Sequence, residues 1–279
     1  HGIGVLEWKV NGTKAADLTA LKAAIQEAEG KNESDYTASS WKTFAKALEE
    51  AKAAAADNTV TQEAADLART NLLKAANALV KKGEKPEYDN IAPEAKADGI
   101  CDYTNDLGGL ATLNDGYEPT ESHDTSHGAW HNWNNRYENG VAKNAWVSYT
   151  WDKPVEINSM DIYYFSDHGG IVAPKSASFE YLNDAGEWVV ADEAQGLACV
   201  EDEYNTVKLA NIKTKAIRMT MEPEFMNDGD PAHGVGVIEW KVYGKYAEDK
   251  PETVDKTALD AVIREAESRA EKDYTSDSW

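Results

Sequence analysis

A twelve-residue string occurs twice in this chain. HGIGVLEWKVNG spans His1 to Gly12 and HGVGVIEWKVYG spans His233 to Gly244, identical at nine of twelve positions. A second string repeats behind each copy: Asp17-Leu18-Thr19-Ala20-Leu21 leads to Tyr36-Thr37-Ala38-Ser39-Ser40-Trp41, and Asp255-Lys256-Thr257-Ala258-Leu259 leads to Tyr274-Thr275-Ser276-Asp277-Ser278-Trp279. Similarity at so long a period marks an array of units rather than one globule. The chain therefore reads as a window on a longer array. Residues 1–12 are expected to be the last strand of a preceding unit, 13–85 and 86–244 two complete domains, and 245–279 a linker with the first helix of a further, truncated unit. A signal peptide is not expected in such a window, so its absence carries no information on compartment.

Composition divides the chain at the same boundary. The formal charge of −22 is unevenly spread: residues 13–85 carry 11 Lys and Arg against 11 Asp and Glu, whereas 86–244 carry 10 against 28. Nucleic acid and anionic membranes bind through basic patches, so both are excluded as partners. No apolar run approaches the roughly 18 residues that a membrane-spanning helix needs. Residues 86–244 also hold six of the nine Trp, while 13–85 hold only Tyr36, Trp41 and Phe44 as aromatics.

Apolar residues in the first domain recur at helical spacing. Leu18, Leu21, Ile25 and Ala28 form one set; Trp41, Phe44, Leu48, Ala51 and Ala55 a second; Ala68, Leu72, Ala75 and Leu79 a third. Gly30-Lys31-Asn32 and Asp57-Asn58 separate them, and Thr61 followed by Glu63 opens the third with helix-start chemistry. A three-helix bundle is predicted. It holds no His or Cys, and its carboxylates interleave with Lys as on a solvated face, which fits a spacer.

After residue 86 the period changes to two. Ala145, Val147, Tyr149 and Trp151 alternate with Trp146, Ser148 and Thr150, a run that Pro154 is expected to end. Met160, Ile162 and Tyr164 make a second run. Ala177, Phe179 and Tyr181 lead through the turn Asn183-Asp184-Ala185-Gly186 to Trp188; Ile217, Met219 and Met221, then Ile238, Trp240 and Val242, complete the pattern. Short alternating strands joined by turns predict an antiparallel β-sandwich. The fold class is thus multidomain, all-α followed by all-β.

Four strings in order, LNDGYEP (Leu113 to Pro119), HNW (His131 to Trp133), AWVSYTWDKPVEINSMDIYYFSDHGG (Ala145 to Gly170) and GVGVIEWKVYG (Gly234 to Gly244), resemble the galactose-binding-like, discoidin-type jelly-roll modules appended to bacterial β-galactosidases and β-L-arabinofuranosidases. Residues 17–80 resemble the three-helix repeat called FIVAR. Both resemblances imply an accessory region of a secreted or cell-wall-associated glycoside hydrolase, with the catalytic domain outside this chain, a glycan as ligand, neighbouring domains of the same polypeptide as partners, and a monomer.

A sugar offers hydroxyls to charged and amide side chains and C–H groups to an aromatic face. Such residues belong on loops, because strand positions are taken by the core. Three loops qualify: 122–136 with His123, Asp124, His127, Trp130, His131 and Asn132; 166–174 with Asp167, His168 and Gly169-Gly170; and 222–233 with Asn227, Asp228 and Asp230. The second is the strongest candidate, since paired glycines permit close backbone approach at a strand end. The sugar-contacting set is Asp167, His168, Gly169, Trp130, His131 and Asn227. Trp133, Trp146, Trp151 and Trp240 read as core, and Trp130 as either core or ligand platform.

The turn Leu113-Asn114-Asp115-Gly116 offers oxygen donors of the kind a hard cation takes, and Glu239 projects opposite to Ile238 and Trp240. The resemblance implies a structural calcium held by Asp115 and Glu239, with Asn114 as a third candidate; an Asx turn beside an exposed Glu is the alternative. His123, His127 and His131 stand four apart, which would suit zinc on a helix, but their neighbours favour a loop. Cys101 and Cys199 either pair or stand as two buried thiols. No nucleophile elbow, phosphate loop or metalloprotease motif is present. A non-catalytic carbohydrate-binding region is the first reading, and a structural spacer or adhesive array without sugar binding the second.

Overall fold

The computed structural model describes residues 15–100, 109–225, 232–247, 261–265 and 268. The strand expected at 1–12, Cys101, Asn227, Asp228 and Asp230 lie outside the described residues, as does most of 245–279.

Three helices open the chain. The first, α1 (Thr19–Glu29), starts where Asp17 Oδ1 accepts the Thr19 N–H at 3.0 Å. It buries Leu21, Ala24, Ile25 and Ala28 along one stripe. The second, α2 (Ala38–Ala56), buries Phe44 and Ala51 on one face and Ser39 and Ser40 near its start. The third, α3 (Gln62–Asn77), is capped as its sequence predicts, with Thr61 Oγ1 accepting the Ala64 N–H at 3.1 Å. The buried faces share one apolar cluster around Leu21, Phe44 and Leu72, and burying each of these large side chains stabilises the fold by about 2 kcal/mol.

The strands follow in chain order: β1 (Lys96–Gly99), β2 (Trp130–His131), β3 (Tyr137–Glu138), β4 (Val141–Ala142), β5 (Ala145–Phe165), β6 (Ile171–Val172), β7 (Ser176–Leu182), β8 (Trp188–Val190), β9 (Leu197–Ala198), β10 (Asn205–Glu222) and β11 (Gly234–Tyr246). The main sheet runs β2-β11-β5-β10-β7-β8, with β1 and β9 attached antiparallel to β5 and β7, and β6 parallel to β11. β3 and β4 form a separate hairpin.

The expected break at Pro154 is not there. β5 runs unbroken for 21 residues, because the proline sits where no ladder bond is required of it. Thr150 pairs with Ala216 and Val155 with Thr214, so residues 151–154 bulge against a single residue of β10. The bulge bends the strand. Its first half pairs with β1 and the end of β10, and its second half with β11 and the start of β10.

The sheet therefore closes on itself in a sandwich-like arrangement. Tyr149 in the first half of β5 stacks on Trp240 of β11 with centroids 4.2 Å apart, a contact between faces rather than along a ladder. The Tyr149 hydroxyl donates to the Leu113 carbonyl at 2.7 Å, which satisfies its polar end inside the core. Trp130, Trp151 and Trp240 are fully buried in this cluster together with Ile157, Phe179 and Ile217. Trp133 and Trp146, expected in the core, are half-buried instead.

The described residues as far as Ala247 form one compact unit, and residues 261–265, which are helical, belong to a second. No helix among the described residues is long and apolar enough to cross a membrane.

Candidate functional site

β5 ends at Phe165 and β6 begins at Ile171, so Ser166 to Gly170 form a five-residue turn. The Asp167 side chain builds it. Its Oδ1 accepts the N–H groups of Gly169 at 2.9 Å and Ile171 at 2.8 Å, while the Asp167 N–H donates to the Ile171 carbonyl at 3.0 Å. Oδ2 has no hydrogen bond among the described residues, and Asp167, His168 and Gly169 are all exposed. His168 holds φ at 56°, a left-handed conformation that costs a non-glycine residue about 1 kcal/mol.

A second candidate loop is brought against this turn. The Ser166 N–H donates to the Ser122 carbonyl at 2.8 Å, and the rings of His123 and His168 stack with centroids 4.3 Å apart at 12°. His123 Nδ1 lies 3.0 Å from the Ser166 carbonyl. A carbonyl only accepts, so Nδ1 carries a proton and donates to it. One surface thus presents a free carboxylate oxygen, two imidazoles and a glycine backbone, groups that pair with hydroxyls of either polarity.

Trp130 and His131 do not join this surface. Trp130 is fully buried, with its indole N–H donating to the Ile100 carbonyl at 2.7 Å. Both ring faces are therefore inside the core, which corrects its assignment as a sugar platform. His131 is 7% exposed and its Nδ1 accepts the Trp133 N–H at 3.3 Å, so it too is corrected to a buried structural residue. β2 pairs with Gly236 and Val237 of β11, and its two side chains point to opposite faces, with Trp130 entering the main apolar cluster.

Sequence reasoning missed Trp133 and Arg136 at this end of the sandwich. A Cβ on Gly170 would lie 2.4 Å from the Trp133 ring. The close approach that the glycine pair allows is thus made by this indole. The Arg136 guanidinium lies 3.6 Å from the ring centroid, and its Nη1 donates to the Trp133 carbonyl at 2.6 Å. The glycine pair itself was the available signal.

The Asp115 turn forms a separate cluster. Asp115 Oδ1 accepts the Tyr117 N–H at 3.0 Å, and Oδ2 lies 3.2 Å from His127 Nε2. Glu239, far from being exposed, is fully buried, and neither carboxylate oxygen has a hydrogen bond. Burial first, and the Asp115 charge second, push its carboxyl up to about 8 against the pull of the Gly116 amide and Lys241. A buried carboxylate with both oxygens unpartnered, beside a second carboxylate, suits a hard cation completed by carbonyl oxygens. Asn114 fits less well, because its amide nitrogen is committed to the carbonyls of Ala92 at 2.6 Å and Ala95 at 3.1 Å, leaving only Oδ1 as a donor. Among the described residues, no three His, Cys, Asp or Glu side chains converge as a metal site.

The three histidines spaced by four face three different partners: His168, Asp115 and the Trp133 amide. Cys199 is a free, buried thiol, and burial pushes it up to about 12, which leaves it unreactive.

No family model matches the chain. Over 69 residues it is 45% identical to the polysaccharide lyase 8 family protein HylA of Enterococcus faecalis, a match that spans 25% of this chain and 5% of that relative. Structural neighbours are carbohydrate-binding modules. One is the family 32 module of Streptococcus pneumoniae EndoD, at 18% identity and a TM-score of 0.39 over 56% of this chain and 99% of that one. Another is a Clostridium perfringens module solved with GalNAc-β-1,3-galactose, at 16% identity and a TM-score of 0.42 over 56% and 99%. A third is a Streptococcus pneumoniae fucose binding module, at 17% identity and a TM-score of 0.40 over 56% and 97%.

Proposed function

We propose that this chain is a non-catalytic carbohydrate-binding region of an extracellular or cell-wall-associated bacterial glycan-active enzyme, and that it directs the enzyme to galactoside- or arabinoside-containing glycans. The observation that carries this reading is the joining of two candidate loops, distant in sequence, by the Ser166–Ser122 hydrogen bond and the His123–His168 stack. Asp167, His168 and Gly169 form the exposed contact set, with His123 added. Asn227 is retained as an expected contributor from the third loop. Residues 13–85 act as a FIVAR-like helical spacer, and 1–12 as the closing strand of a preceding sandwich. A structural calcium on Glu239 and Asp115 holds the turn under the core, supported by the unpartnered Glu239 carboxylate.

A weak site of this kind raises local substrate concentration for a tethered enzyme. Titration calorimetry on calcium-loaded protein is expected to give dissociation constants of about 1 mM, corresponding to about 4 kcal/mol, with galactose- or arabinose-terminated glycans. Asp167→Ala and His168→Ala should abolish the heat. A glycan array that stays blank at millimolar ligand would favour a spacer instead, and turnover of aryl glycosides by this chain alone would overturn the non-catalytic assignment.

A further inference from the structure

Part of the contact between the helices and the sandwich runs along residues 198–204, whose successive groups reach different parts of the molecule; Lys208 makes a further contact, to the Leu79 carbonyl at 3.2 Å and Glu84 at 2.7 Å. On the helical side, Glu203 Oε1 accepts the Ser39 N–H at 3.0 Å in the first turn of α2, where Thr37 provides no side-chain cap. Lys42 Nζ donates to the Cys199 carbonyl at 3.1 Å, and the Ala198 N–H donates to Thr43 Oγ1 at 3.0 Å. On the other side, Asp202 Oδ1 accepts the Ser122 N–H at 2.7 Å and the Asp202 N–H donates to Ser122 Oγ at 2.8 Å. Ser122 is fully buried, and its carbonyl is the acceptor for Ser166. Glu201 Oε1 accepts the Ala173 N–H at 3.2 Å.

The consequence is topological. Ser166 and Ala173 bracket the turn that carries Asp167 and His168, and both ends are tied to three consecutive residues whose third member caps α2. Asp202 holds φ at 62°, a conformation maintained only when surrounding contacts over-determine it. The paired bonds to Ser122 on one side and the Glu203 contact on the other supply that constraint.

We infer that Glu201, Asp202 and Glu203 are positioning residues through which the docking of α2 fixes the geometry of the 166–173 loop. The helical spacer is then also a structural component of the binding end. As regards ligand, this rests on the function proposed above; as regards loop order, it stands alone.

The test is amide hydrogen exchange, read by NMR on the full chain. A hydrogen bond to a charged group is among the stronger ones, so Glu203→Ala should raise exchange at Ser122, Ser166 and Ala173 roughly tenfold, while amides of the β5–β10 ladder stay unchanged. Glu203→Gln keeps an acceptor and should restore most of the protection. Thr43→Val, on the other side of the interface, should act in the same direction. Where wild type binds a glycan, Glu203→Ala should weaken that binding several-fold. Faster exchange confined to the first turn of α2, with Ser166 and Ala173 unmoved, overturns the inference. A wild type that binds no glycan overturns the proposed function and leaves the exchange result to decide this one.

Discussion

Glutamine at position 239 separates the two roles that a buried, unpartnered carboxylate can have. In the metal-free protein Glu239 is held at about 8 against an ordinary value of 4.5. Between these values the folded state keeps a proton that the unfolded state releases, so stability is full below about pH 4.5 and falls by about 1.4 kcal/mol per pH unit as pH rises towards 8. At pH 7 the loss amounts to about 3 kcal/mol. Glu239→Gln has the same shape and no titration, so its stability should be flat across this window. Its buried amide lacks partners, as does the protonated carboxyl of wild type at low pH, so the two costs are similar. The variant should therefore be close to wild type in stability near pH 5 and more stable at pH 8, the two curves separating as pH rises. Urea unfolding followed by the fluorescence of the buried tryptophans, in chelator at four pH values, measures this directly. Calcium should reverse the pattern, since it pairs the ionised carboxylate: wild type should gain most at pH 8, and Glu239→Gln should gain little. Parallel pH profiles for the two proteins in chelator would refute the argument for Glu239. Equal stabilisation of both by calcium would remove the metal from this site.

His168→Gly releases the left-handed strain at φ 56° while adding chain entropy to the unfolded state, so stability should stay level or rise by up to about 1 kcal/mol while the glycan heat disappears. A drop of more than that in denaturant unfolding would mean the stack on His123 holds the loops together. Gly170→Ala places a methyl 2.4 Å from the Trp133 ring and should cost about 1–3 kcal/mol by overpacking, with a shift in tryptophan emission. An unchanged melting temperature would show that the indole does not rest on Gly170.

Period and turn chemistry carried much of the fold. The helical stripes at Leu21, Ile25 and Ala28 and the cap at Thr61 are local features, and they occur where their spacing puts them. The Asn183–Gly186 turn likewise joins β7 to β8, with Gly186 at φ 79°. Pro154 misled because a proline's effect depends on whether its position owes a ladder bond, and that is decided by a partner strand some sixty residues away. Asn139-Gly140, both left-handed at φ 52° and 79°, was a legible hairpin signal between β3 and β4 that the strand pattern did not use. In the candidate site, the polar turn at Asp167 was visible because a side chain bonding its own backbone is local. Trp130 and His131 were misassigned because two residues of β2 carry no usable alternation, and their burial follows from pairing with β11 more than a hundred residues later. Glu239 could be grouped with Asp115 from the sequence, yet its complete burial depends on packing that no alternation pattern encodes.

The position of β11 bears on how such a chain can be made. Among the described residues it is the last strand in sequence, yet it lies between β2 and β5 in the sheet, and Ile91 near the start of the β-region donates to Val242 near its end at 2.8 Å. Until residue 246 has left the ribosome, the second half of β5 presents an open, apolar edge, and Tyr149 lacks the indole it stacks on. The apolar cluster shared by α1 to α3 is built from residues local in sequence and can assemble much earlier, although α2 gains its bonds to residues 198–203 only later. A nascent chain therefore carries a packed helical segment ahead of a sheet that stays adhesive until β11 arrives. That late closure makes mispairing of the open edge the characteristic error to guard against during synthesis.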